Sequence, residues 1–145
     1  MRIPFAKMHG LGNDFVVIDE RKSSFMLTCS QLTFIADRRY GIGCDQILSL
    51  GKPRLVGALA SYRVFNADGG MAEHCGNGVR CIARYFEHRE ELSSKDVLLE
   101  INDVPIPIKI EIDGTIGVDM GAPRFLPTEI PLNEVQEQTR YYVEL

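Results

Sequence analysis

At 145 residues, with 45% hydrophobic and 25% charged side chains, the chain has the size and composition of one ordinary globular domain, neither disordered nor membrane-spanning. A formal charge of -4 without a basic cluster argues against nucleic acid or an anionic membrane as the main partner and leaves a small molecule as the default. No apolar signal-like region opens the sequence and no run approaches the roughly 18 apolar residues of a membrane span, so the cytoplasm is the expected compartment, where Cys29, Cys44, Cys75 and Cys81 read as free thiols.

Taken in order, Arg2 to Met8 predicts a short strand. His9-Gly-Leu-Gly-Asn-Asp-Phe15 then interrupts it, its two glycines and the adjacent Asn13 and Asp14 suiting a turn or bulge that exposes backbone and an amide side chain. A plain hairpin turn explains that segment equally well, and His9 by itself reads as a structural hydrogen-bonder. After the apolar run Phe15 to Ile18, Ser30 is placed to cap a helix over Gln31 to Arg39, with Leu32, Ile35 and Ala36 on one face and Gly41 to stop it. Gly41-Ile-Gly-Cys-Asp-Gln46 leads into a buried strand, Ile47 to Leu50, with Asp45 and Gln46 at its mouth, where they can face a ligand or merely connect helix to strand. Past the Gly51-Lys-Pro loop, Ala60 to Asn66 reads as a strand that puts Tyr62, Val64 and Asn66 on one face and Ser61, Arg63 and Phe65 on the other.

The stretch Asn66 to Tyr85 carries a glycine-rich loop that delivers Cys75 to the start of a helix. Val79, Ile82, Ala83 and Phe86 recur at i, i+3, i+4 and i+7, the strongest amphipathic pattern in the chain. The last third is β in character: Val97 to Ile101, then Ile106, Ile108, Ile110 and Ile112 alternating up to an Asp113-Gly114 hairpin turn, then Ile116, Val118 and Met120. Gly121 to Pro131 reads as mostly extended, and Tyr141 to Leu145 as the opening of another strand. With no internal repeat, the expected architecture is α+β: a curved, mostly antiparallel or mixed sheet wrapped around a central helix.

Chemistry centres on Cys75. Neither G-x-x-x-x-G-K-[ST] nor G-x-G-x-x-G occurs, and the six-residue spacing of Cys75 and Cys81 does not suit a structural zinc site, so neither a metal nor a cofactor is expected. His74 and Cys75 are sequence neighbours, which usually point apart. Cys81, inside the helix, reads as a packed side chain, Cys29 as incidental, and Cys44 as a pocket-lining candidate without a catalytic signal. For Cys75 three features converge: a following glycine, a helix start, and a high local density of Asn, Asp and Gly. A thiol there meets unpaired backbone N–H groups and the positive end of the helix dipole, which favour thiolate and can also hold a carboxylate; a thiol merely filling a tight turn is the alternative.

Met8-His-Gly-Leu-Gly-Asn-Asp-Phe15, Gly41-Ile-Gly-Cys-Asp-Gln46, Phe65-Asn-Ala-Asp-Gly69, Cys75-Gly-Asn-Gly-Val-Arg-Cys81 and Met120-Gly-Ala-Pro123 together resemble diaminopimelate epimerase, in order and in spacing, over essentially the whole chain. The resemblance implies two similar domains, each a curved sheet around a helix, with the site in the cleft between them. It implies cofactor-independent epimerisation of 2,6-diaminopimelate, LL to meso, in lysine and cell-wall precursor synthesis, by one cysteine that removes the α-proton and another that donates from the opposite face. Position by position, it makes Cys75 one catalytic cysteine, Gly76 and Asn77 backbone donors to the substrate carboxylate, and Asn13, Gln46 and Asn66 substrate-holding residues; it gives His74 no role.

Members of that family are about twice this length, and none of Cys29, Cys44 or Cys81 matches their second cysteine. Residues 1–122 are therefore expected to form the N-terminal domain and residues 123–145 a crossover toward a second domain, present in cis or trans. A homodimer bringing two copies of Cys75 together is another arrangement. A stand-alone domain that binds an amino acid or a partner protein without turnover is the alternative function, and a proline-racemase-like or phenazine-biosynthesis-like isomerase is disfavoured by the Met8 to Phe15 segment.

Overall fold

The computed structural model describes residues 2–130 and 138–141. Its strands are β1 (Ala6–Gly10), β2 (Asn13–Asp19), β3 (Gln46–Gly51), β4 (Ala60–Asn66), β5 (Met71–Ala72), β6 (Asp96–Ile101), β7 (Val104–Ile110) and β8 (Ile116–Val118); its α-helices are α1 (Cys29–Ala36) and α2 (Gly76–His88). All eight strands form one sheet in the order β1-β2-β3-β4-β6-β7-β8, with β5 paired to β4. The pairs β2·β3 and β4·β6 are parallel and the rest antiparallel. Each parallel pair is joined by a crossover containing one of the helices, as parallel strands require.

The sheet curls around α2, the expected α+β arrangement. Val79, Ile82, Ala83 and Phe86 of α2 are fully buried against Phe15, Val17, Leu48, Leu50, Tyr62, Val64, Leu99 and the β7 row Ile106, Ile108 and Ile110. Burial of large aliphatic or aromatic side chains stabilises by about 1.5–3 kcal/mol each, so this one helix face accounts for much of the core. The opposite face of β2 and β3 carries Val16, Ile18 and Ile47, covered by Leu32 and Ala36 of α1 together with Cys44. That second layer explains the unbroken apolar run Phe15 to Ile18: a strand buried on both faces has no polar alternation.

Several local expectations need correction. The first strand begins at Ala6, and the β1–β2 turn shrinks to Leu11-Gly12, both at positive φ (55° and 87°), the geometry of a two-residue hairpin turn. Thr28, not Ser30, caps α1: its hydroxyl accepts from the Gln31 N–H while the Gln31 side chain accepts from the Thr28 N–H, leaving Ser30 inside the first turn. The helix ends at Ala36, short of Arg39, because the Asp37 carboxylate captures the N–H groups of Arg39 and Tyr40 and turns the chain. Gly41 then folds back over that end, where a Cβ would lie 1.9 Å from the Phe34 carbonyl oxygen. Ile112 does not continue the β7 alternation; it is exposed in the turn with Asp113 and Gly114. The final strand expected from Tyr141 onward falls, beyond Tyr141 itself, outside the described residues.

Candidate active site

Three apolar rows on the α2-facing side of the sheet end in a polar residue at the same edge. Phe15 and Val17 share their face with Asn13, Leu48 and Leu50 share theirs with Gln46, and Tyr62 and Val64 share theirs with Asn66. Register aligns the three ends: Gln46 pairs with Phe15 on one side and with Asn66 on the other. Gln46 Nε2 donates to Asn66 Oδ1 at 2.9 Å, so the two amides form one unit.

The N-terminus of α2 arrives at this edge. Cys75 is its N-cap in extended conformation, and the Gly78 N–H donates to Cys75 Sγ at 3.4 Å. The first intrahelical bond runs from the Val79 N–H to the Cys75 carbonyl at 2.9 Å. Gly76 and Asn77 thus lie in the first turn, where N–H groups have no intrahelical acceptor. The Asn77 side chain turns along the helix to accept from Arg80. Gly78 lets the turn press onto the sheet: a Cβ there would sit 2.9 Å from Leu48 Cδ2 and 3.5 Å from Phe15 Cε1. Cys75 Sγ consequently comes within 3.8 Å of Asn13 Oδ1.

Around this edge are groups that sequence reasoning did not assign to the site. Asp45 Oδ2 accepts from Asn13 Nδ2 and from the Asp14 N–H, both at 3.1 Å, and Arg38 bridges Asp14 and Asp45. Arg38, with help from Lys7, holds the Asp14 carboxyl far below the usual carboxylate range, and the Asp14 N–H with the Asn13 amide lowers that of Asp45. Asp45 was legible only as a polar residue at a strand mouth; nothing local tied Arg38 to it.

His74 faces away from the chemistry expected of a Cys-His pair. Its Nδ1 shares a hydrogen bond with the buried Tyr62 hydroxyl at 2.7 Å and its Nε2 meets Met120 Sδ at 3.1 Å. Burial raises the Tyr62 pKa, with a further push from Cys75 charge, and burial lowers that of His74, so both partners favour their neutral forms. Met120 also lies against Gly76, its Sδ 3.2 Å from where a Cβ would be.

The other thiols are elsewhere. Cys81 is buried in α2, its pKa pushed up to about 11 by burial and then by Cys75 charge. Cys44, in the outer layer, is also raised by burial, and Cys29 is an exposed thiol that donates to the Asp68 carbonyl at 3.5 Å. Among the described residues no cluster of three or more His, Cys, Asp or Glu side chains is arranged to hold a metal, and no helix is long and apolar enough to cross a membrane.

The family model described as diaminopimelate epimerase matches residues 5–126. Among curated proteins, a diaminopimelate epimerase of Nitrosospira multiformis is 45% identical, aligned over 100% of this chain and 52% of its own length. One from Coxiella burnetii is 44% identical over 90% of this chain and 48% of its own, and one from Paraburkholderia xenovorans is 41% identical over 90% and 46%. The chain spans about half the length of these relatives. Solved structures of similar fold include a Bacillus anthracis phenazine biosynthesis protein (17% identity, TM-score 0.55, 80% of this chain and 38% of that one). A methylitaconate-delta-isomerase is similar at 14% identity with a TM-score of 0.62, covering 80% of this chain and 62% of its own. At such identities the likeness is one of fold.

Proposed function

Because the chain belongs to the diaminopimelate epimerase family, we propose that it supplies one half of a cofactor-independent site converting LL-2,6-diaminopimelate to meso-diaminopimelate, with Cys75 as the acid/base group on one face of the α-carbon. The observation that carries this reading is the placement of Cys75 Sγ at the α2 N-cap, 3.8 Å from Asn13 Oδ1 and at the edge shared with Gln46 and Asn66.

Inversion at a carbon bearing an acidic proton needs a base on one face and an acid on the other, each within hydrogen-bond reach. The substrate α-carboxylate binds the Gly76 and Asn77 N–H groups. Charge moves onto that carboxylate as the α-proton leaves, so the same donors stabilise the transition state more than the ground state. Asn13, Gln46 and Asn66 hold the remaining polar groups of the substrate. Cys81 and Cys44 are buried and Cys29 sits on α1, so the second thiol comes from a second domain, in cis or in trans. In this reading residues 1–122 form the first domain and residues 123–145 lead toward the second.

The test compares LL-to-meso conversion by the 145-residue chain alone, with its association state measured, and by the chain joined to a second domain carrying a cysteine. Conversion is expected only in the joined protein, and Cys75→Ala should abolish it. Turnover by the monomeric chain alone, lost in Cys75→Ala, would overturn the two-thiol mechanism.

A further inference from the structure

Asn13 touches Cys75 through one end of its amide, and the other end is committed elsewhere. Asn13 Nδ2 donates to Asp45 Oδ2 at 3.1 Å, the oxygen that also accepts the Asp14 N–H. The second oxygen of Asp45 takes the Arg38 guanidinium at 2.8 Å. In return the Asp45 N–H donates to Asp14 Oδ1 at 2.8 Å, and Asp14 is paired with Lys7 and Arg38. The starts of β2 and β3 are thereby locked together by reciprocal contacts.

An ionised carboxylate only accepts hydrogen bonds, so it draws the NH2 of Asn13 toward itself and leaves the carbonyl oxygen facing the opposite way. That oxygen is the atom 3.8 Å from Cys75 Sγ, where it accepts from the thiol. Resting on the reading of Asn13 and Cys75 as site groups, we propose that Asp45 is a positioning residue: anchored by Arg38, it dictates which end of the Asn13 amide meets the thiol and any ligand bound beside it. A bound group that meets this end of Asn13 must then be a hydrogen-bond donor. The lowered Asp45 pKa keeps it ionised at neutral pH, as the role requires.

Asp45→Ala removes the acceptor. Asp45→Asn keeps the shape but leaves one acceptor oxygen where two served: it cannot take Arg38 together with the Asn13 amide and the Asp14 N–H, so the hold on Asn13 weakens. The rate of Cys75 alkylation by iodoacetamide in the full chain, read by mass spectrometry, reports the contact. Loss of one hydrogen bond to the thiol should speed it about two- to tenfold in Asp45→Ala, Asp45→Asn and Asn13→Ala alike. The double variant Asp45→Ala/Asn13→Ala should be no faster than Asn13→Ala, because Asp45 acts through Asn13. The side-chain amide signal of Asn13 in 15N spectra should move in both Asp45 variants, which reports the change at the amide itself. If Asn13→Ala leaves the rate unchanged, the Asn13–Cys75 reading itself fails. If Asn13→Ala speeds the reaction but Asp45→Ala still adds its full effect in that background, the site reading survives and the positioning role of Asp45 is overturned.

Discussion

Gly78→Ala sets two effects of opposite sign against each other at the helix start beneath Cys75. Replacing glycine by alanine stabilises by at most about 0.8–1 kcal/mol through backbone propensity, the value for a helix interior, since Gly78 lies in the first turn of α2. The new methyl would sit 2.9 Å from Leu48 Cδ2, closer than carbon atoms normally approach, so the fully buried Leu48 side chain has to shift within the core. Overpacking of this kind costs typically 1–3 kcal/mol. The steric cost wins, for a net loss of up to about 2 kcal/mol, or up to roughly 4–8 °C in melting temperature for a domain near this size. Urea unfolding followed by circular dichroism measures the first quantity. Lifting the turn also moves Cys75 away from Asn13, so its alkylation rate should change in the same variant. A Gly78→Ala protein that is more stable than the parent, with unchanged Cys75 reactivity, would show that the α2–β3 contact is soft and that the close approach does not position the thiol.

The four thiols should label in an order set by their surroundings: at neutral pH Cys75, at a half-buried helix start, reacts first, and buried Cys44 and Cys81, with raised pKa values, lag at least about tenfold behind it. Equal labelling of all four by mass spectrometry would remove the argument. His74 gives a pH dependence of defined sign. Burial lowers its folded-state pKa below the ordinary 6.5, so the unfolded chain takes up that proton first and stability falls as pH drops below about 6.5. The parent should therefore lose more melting temperature between pH 7.5 and pH 5.5 than His74→Gln does, and parallel curves would refute it. Phe86→Ala empties a fully buried position that also carries the Arg21 guanidinium 4.5 Å from its ring; a loss of about 3–5 kcal/mol in denaturant unfolding is expected, and less than 1 would mean that the core collapses into the gap.

How much of this was legible in the sequence depended on range. Helix α2 followed from the spacing of Val79, Ile82, Ala83 and Phe86, and the β7 row from alternating isoleucines, because periodicity is a local property that burial simply reads out. Cys75 at a helix start followed from the glycine-rich loop. Local signals misled where two residues competed for one job: Ser30 and Thr28 are both competent N-caps, and the reciprocal bond from Gln31 selects Thr28. The β6–β7 turn at Asn102-Asp103, both at positive φ, had a recognisable turn composition that went unread, and the two-residue β5 was too short to announce itself.

The sequence by itself determined the type of the main elements, the apolar faces of α2 and of the strands, and the thiol at a helix N-cap, since each depends on residues within a few positions of one another. Only the tertiary structure decided that Asn13, Gln46 and Asn66 end their rows at one edge, that Gln46 pairs with both Phe15 and Asn66, and that Asp45 holds the Asn13 amide from 32 positions away. The contact between Cys75 and Asn13 spans 62 positions. Such contacts are fixed by strand register and by how closely Gly78 lets α2 approach the sheet, which are properties of the packed core and have no local periodicity to betray them.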